Sequence, residues 1–232
     1  STRMGSAALV RTALVDAQNY LEEWVRYEAE VVTAEEKGRD ADLPKPPKRD
    51  LKLEALGKVL KREMKVRVHA HRADDMLTAI RIAEEFDLDL ALEHATDGYK
   101  IAEILAARGI PVVAGPMLFS RGKYEVKGLT PKNPGIMAKA GVKVAIQTDE
   151  ASAVKYLRIH AALAVREGMP EEEALKAITI HAAEIIGVDD RVGSLEVGKD
   201  ADIVVFSGHP FDYRTVVDLV LVDGQVAYRR EG

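Results

Sequence analysis

Lys65-Val66-Arg67-Val68-His69 opens a rhythm that decides the fold. Short apolar runs of the same kind return at Leu88–His94, Ile110–Ala114 and Val142–Gln147. Each is followed by a segment with helical spacing: Asp74–Glu85, Tyr99–Arg108, Pro134–Lys139 and Ala151–Arg166. Strand-then-helix alternation implies parallel strands joined by crossover helices, an α/β fold. Four such units are half of the eight that a closed (β/α)8 TIM-type barrel requires. Two further helices, near Glu171–Thr179 and Ala182–Gly187, lead to short strands at Ile203–Phe206, Leu219–Val222 and Gln225–Tyr228. Asp223-Gly224 between the last two reads as a tight hairpin turn.

Upstream, Leu9, Ala13, Ala17, Tyr20 and Trp24 recur three or four apart, which predicts a helix over Gly5–Glu36. Lys37–Lys48 is polar, holds three prolines and reads as a loop, and a second helix is expected over Leu51–Arg62. The expected organisation is therefore a helix and Pro-rich loop over 1–50, β/α units over 51–191, and a small antiparallel β element over 192–232. The opening Ser1-Thr2-Arg3-Met4 leads us to expect either a tag remnant or a piece of a longer chain.

Composition narrows the function. The 232 residues are 47% hydrophobic and 31% charged, as a globular protein with a real core requires. A net charge of −5 offers no basic footprint for nucleic acid. No apolar run reaches the roughly 18–20 residues of a membrane span, and no signal-peptide layout opens the chain. There are no cysteines, so disulfides, thiolate metal sites and cysteine nucleophiles are excluded together. A cytoplasmic location is expected, and any metal must be held by nitrogen and oxygen.

Three candidate ligands stand at predicted strand ends: His69, His94, and Asp149 just after Val144-Ala145-Ile146-Gln147-Thr148. In β/α barrels the active site is built at the C-terminal ends of the strands, so these groups would converge over one rim. Imidazoles with one carboxylate suit zinc or a similar divalent ion. A lone strand-end His is equally well a hydrogen-bonded structural residue; three such ends among four strands make that reading weaker. His71, two residues after His69, would face the same side and bind substrate or orient a ligand, unless it lies past the strand as a polar loop residue. Asp149 beside a metal could take up and pass on a proton, or could cap a helix from Ala151. His160, His181 and His209 read as structural or loop residues.

The run Ile178-Thr179-Ile180-His181-Ala182-Ala183-Glu184-Ile185-Ile186-Gly187 resembles the helix after the last barrel strand in the amidohydrolase superfamily. Gly193-Ser194-Leu195-Glu196-Val197-Gly198-Lys199-Asp200-Ala201-Asp202-Ile203-Val204-Val205-Phe206 is similar to that superfamily's lead-in to its small β-sandwich, and so is Val222-Asp223-Gly224. Arg67–Asp75 resembles the strand-five region of imidazolonepropionase-like and dipeptidase-like members. The resemblance spans about Leu51 to Tyr228. It implies the C-terminal half of a barrel followed by a β-sandwich element, with His69, His94 and Asp149 as the ligands of strands five, six and eight and Asp149 also the base. It further implies a metal-dependent hydrolase of an amide or cyclic amide C–N bond, acting on a small amide or peptide-like substrate.

Two departures matter. The superfamily's His-x-His of strand one and any bridging carboxylated Lys or Glu of strand four are expected ahead of Ser1; His69-Ala70-His71 has the former's pattern, but only three strands separate it from the final Asp, counting Asp149's own. Arg72 stands where related deaminases place a proton-shuttling Glu; a guanidinium stays protonated and cannot shuttle. It can bind a substrate carboxylate as a fork, or be a surface charge. The competing expectation is a non-catalytic half-barrel that folds only by association. Val66, Val68, Leu90, Leu92, Val112 and Val144 would lack an opposing barrel wall, at roughly 1.5–3 kcal/mol for each exposed side chain. Pairing with an N-terminal half or with a second copy is therefore expected.

Overall fold

The computed structural model describes residues 2–37, 43–118 and 122–231. Of the loop expected over Lys37–Lys48, residues 38–42 lie outside the described ones. The chain forms two compact units, one running to Val66 and including Leu77–Asp89, the other comprising Arg67–Met76 and the chain from Leu90 onward.

In the first unit, α1 (Arg3–Lys37) packs on α2 (Leu51–Leu60) through Leu14, Ala17 and Tyr20, its buried residues. Gly57 lets the helices approach: a Cβ there would stand 3.0 Å from Leu21 Cδ2. The Asp50 carboxylate starts α2 by accepting from the Lys52 and Leu53 N–H groups at 2.9 and 3.2 Å, which satisfies two free helix-end donors.

In the second unit, β1 (Val66–Ala70), β2 (Leu90–His94), β3 (Val112–Ala114) and β4 (Val144–Ile146) form one sheet in sequential order. The β2–β3 and β3–β4 pairs are parallel, with Leu92, Val112 and Val144 aligned across them and Glu93, Val113 and Ala145 in the next row. α3 (Ala73–Glu85) follows β1 in the chain and lies for the most part in the first unit; within the second, the intervening helices are α4 (Ala102–Ala107) and α5 (Asn133–Lys139). After β4 come α6 (Leu157–Arg166), α7 (Glu171–Ala177) and α8 (Ile180–Ile186), and α5 to α8 all pack against β4. A parallel sheet covered by helices fits a TIM-like α/β fold. The helix expected from Ala151 begins instead at Leu157, after a 3-10 turn at Val154–Tyr156.

The two faces of the sheet differ, and this corrects the expectation of an uncovered apolar face. Leu90, Leu92, Val112 and Val144 are 4%, 0%, 0% and 1% exposed; only Val66 and Val68 are half-buried. Successive residues point to opposite faces, and the opposite row carries the small Ala91, Val113 and Ala145, against which Ile185 and Ala182 of α8 pack. The same row holds Glu93, which pairs with Arg67. That second face therefore has little apolar surface left to cover.

The chain ends in a three-stranded antiparallel sheet, β5 (Ile203–Phe206), β6 (Val217–Val222) and β7 (Gln225–Arg229). Asp223 and Gly224 both take positive φ, 50° and 74°, as a two-residue primed turn demands.

Candidate metal and active site

The ends of the strands carry the chemistry. His69 is the penultimate residue of β1 and His71 follows it, His94 closes β2, and Asp149 lies three residues beyond β4. His69, His71, His94 and Asp149 line one small pocket together with Thr96 and Lys123. The three imidazoles form a triangle with ring centroids 4.2, 4.7 and 4.8 Å apart. Two of the residues sit in backbone conformations that a side chain disfavours: His94 at φ 66° and Asp149 at φ 59°. Such strain persists where surrounding structure holds it, and it collects at functional sites. The positive φ also disposes of Asp149 as a helix cap, since a capping residue takes extended backbone and the helix starts eight residues later.

Hydrogen bonds fix the rings. His94 Nδ1 is 2.9 Å from the Gly115 carbonyl, which can only accept, so Nδ1 carries the proton and Nε2 keeps a lone pair. Gln147 Nε2, 3.3 Å from the same Nδ1, therefore donates to the Val113 carbonyl at 3.2 Å instead. His71 Nδ1 contacts Thr96 Oγ1 at 2.8 Å, and the Nε2 atoms of His69 and His71 face each other at 3.1 Å. Burial, reinforced by His94 and His69, pushes the His71 imidazole down to about 4. Burial and the nearby His94 lower His69 as well, against the pull of Asp149. Both rings are thus neutral near pH 7, the form that ligates metal.

The donor set is nitrogen and carboxylate oxygen, which suits a borderline divalent ion. Its atoms do not close around one point as they stand: among the described residues no group of three His, Asp or Glu side chains is set to hold a metal ion. The residues fit a metal in the chemistry of their donors, and would have to draw together around it.

Arg72 is not among the pocket-lining residues. Its fork is occupied by Asp74, with Nε and Nη2 at 2.9 and 2.8 Å from the carboxylate. The other histidines have structural partners. His160 is 1% exposed, and its Nδ1 accepts from the Met117 N–H at 3.0 Å. His181 Nδ1 donates to the Val144 carbonyl at 3.1 Å, and His209 meets Glu171 at 2.8 Å. Thr96, Gly115, Gln147 and Lys123 escaped the sequence reading. The first three lie within two residues of a strand end or of a candidate ligand, so the strand-end rule applied to every polar or glycine residue would have found them.

The chain matches the amidohydrolase family over residues 11–227 and belongs to it. It is similar to a crystal structure of an amidohydrolase from Thermotoga maritima MSB8, with 44% identity and a TM-score of 0.87 over 99% of this chain and 57% of that one. An imidazolonepropionase from Shouchella clausii is 34% identical over 110 residues, 41% of this chain and 24% of the relative. An adenosine deaminase from Xanthomonas campestris with bound zinc shares the fold at 24% identity and a TM-score of 0.57, over 78% of this chain and 49% of that one. The chain thus spans little more than half of the first of these relatives and less than half of the other two. Among the described residues no helix is long and apolar enough to cross a membrane.

Proposed function

We propose that this chain is the C-terminal half of a (β/α)8 barrel, over 51–191, with a β-sandwich portion over 192–232 and a helical segment over 1–50. It would serve a cytoplasmic hydrolase of amide or cyclic amide C–N bonds. The observation that carries the reading is the gathering of His69, His94 and Asp149 at the ends of strands in one sheet, around one pocket. His69, His94 and Asp149 would hold a divalent ion, with zinc favoured by the two imidazoles and by the zinc-bound structural neighbour. When bound, such an ion polarises the carbonyl and makes water nucleophilic at neutral pH.

The protein's own groups do the rest. The Asp149 carboxylate accepts the proton of the attacking water and returns it to the departing nitrogen. Gly115 holds His94 in the tautomer whose Nε2 faces outward from that bond. His71, tied to Thr96, orients His69 or meets the substrate. Arg72 would contact a substrate carboxylate only by exchanging Asp74 for it. The substrate class is a small amide or peptide-like molecule.

A second reading, a half-barrel that works only in association with an N-terminal half or a second copy, is favoured by the β5–β7 sheet. Every residue of β7 is exposed, and Val204, Val222 and Val226 are 47%, 53% and 54% exposed. Zinc titration against a chromophoric chelator tests the site. Zinc affinity should fall at least tenfold in His69→Ala, His94→Ala and Asp149→Asn, in line with the cost of disturbing metal ligation. Unchanged affinity in all three would overturn the assignment. Light scattering distinguishes the association reading, which a well-folded monomer of 25.4 kDa would refute.

A further inference from the structure

The pocket contains a cation that the reading above leaves unused. Lys123 lines it beside His69, His71, His94 and Asp149. Among the described residues it makes no ion pair, although a carboxylate shares the pocket. The neighbouring cations are committed elsewhere. Arg72 holds Asp74, and Lys127 lies over the Tyr124 ring with Nζ 4.2 Å from its centroid. The charge of Lys123 is felt by both His69 and His71, which it helps to keep neutral. Lys123 thus lines the same pocket as those rings, and its ammonium group is left without an ion pair among the described residues.

A lysine on open surface needs no partner, because water serves it. One that borders a cluster of imidazoles and a carboxylate, and pairs with neither, is set to receive an anion from outside. We propose that Lys123 is a specificity-determining residue that binds a carboxylate of the substrate, so that the preferred substrates are amides carrying an anionic group. This rests on the amide-hydrolase reading and narrows its substrate class. It also replaces Arg72 as the first contact, because Lys123 needs no ion pair broken before it can act. An ammonium group is a compact charge with three donors, and gains more from a carboxylate than from a neutral amide oxygen.

The test is a matched pair of small compounds, N-acetylglycine and N-acetylglycinamide, which differ in charge but hardly in shape. Each is titrated into this chain while the ring nitrogens of His69 and His71 are followed by NMR. The wild type should bind the carboxylate more tightly than the carboxamide. Lys123→Met should weaken N-acetylglycine about tenfold or more, the usual effect of losing a charge-assisted hydrogen bond, and leave N-acetylglycinamide unchanged. Lys123→Arg should recover most of the loss. Equal affinity for both compounds, no binding of either, or parallel loss of both in Lys123→Met would overturn the proposal. Because the readout needs no turnover and no added metal, its failure is separable from failure of the zinc titration, which bears on His69, His94 and Asp149 alone.

Discussion

His69 Nε2 and His71 Nε2 stand 3.1 Å apart, within hydrogen-bonding distance, so without metal one nitrogen donates and the other accepts. Both rings are neutral in that arrangement. His71 has an ordinary value of 6.5 when unfolded and about 4 when folded, mainly through burial. Between those values the unfolded chain binds more protons than the folded one, so stability is full above pH 6.5 and falls as pH drops toward 4. His69 shifts in the same direction. In chelator-treated protein, urea midpoints should therefore drop more steeply between pH 7 and pH 4.5 in the wild type than in His71→Gln. Identical slopes would mean that His71 is not held neutral by the fold.

Gly115 joins the backbone to the site. Its φ is +134°, and a Cβ there would lie 2.3 Å from the Gln147 carbonyl oxygen. Its own carbonyl receives the His94 proton. Gly115→Ala should cost about 1–3 kcal/mol, as enforced backbone strain does, and should move the His94 ring-nitrogen shifts. Chemical denaturation and NMR on one sample would show both effects. A variant as stable as the wild type, with His94 unmoved, would show that the turn has room to adapt.

Arg158 anchors a loop without any carboxylate. Its guanidinium donates to the carbonyls of Pro210 and Asp212 at 2.9 and 3.0 Å and to that of Thr215 at 2.5 Å. Arg's fork is rigid and several-toothed, so lysine cannot replace it. Arg158→Lys and Arg158→Met should each lose about 1.5–3 kcal/mol, the worth of hydrogen bonds from a charged donor. Hydrogen exchange should rise selectively over residues 207–216. Loss spread evenly over the molecule would contradict this local role.

The legibility of the fold followed its periodicity. The strands at β1 to β4 are read from short apolar runs, because a parallel sheet covered by helices needs them. The depth of burial was misjudged because all the apolar residues of a strand look alike in sequence. Pleating sends Leu92 and Val112 to one face and Ala91 and Val113 to the other, where α8 packs on them, so both faces are buried. In the site, His69, His94 and Asp149 are visible as polar residues closing apolar runs. Spacing alone leaves Arg72 either a substrate fork or a surface charge, because its ion pair with Asp74 depends on side-chain geometry that spacing does not reveal. Lys123 was missed because it sits in a loop, nine residues beyond β3, where no periodicity points at the pocket.

Asp149 offers a test that sets stability against function. It holds φ +59° while its side chain lines the pocket, so the backbone bears a conformation that glycine adopts at no steric cost. The residue is exposed and makes no helix-capping bond, so little packing is lost when the side chain is removed. For an L-residue the left-handed region costs roughly 1–2 kcal/mol, and somewhat less for aspartate, which tolerates it better than most. Asp149→Gly should therefore raise stability by up to about 1 kcal/mol, partly offset by the greater freedom of glycine in the unfolded chain. The same change should weaken zinc binding, because it deletes a proposed ligand. Asp149→Asn separates the two effects, since asparagine also tolerates this conformation but lacks the charge: its stability should stay near that of the wild type while zinc affinity falls. Denaturant midpoints and chelator competition on the three proteins give both quantities. If Asp149→Gly is less stable than Asp149→Asn and both bind zinc like the wild type, the strain at Asp149 serves neither metal nor proton transfer, and the site must be sought without it.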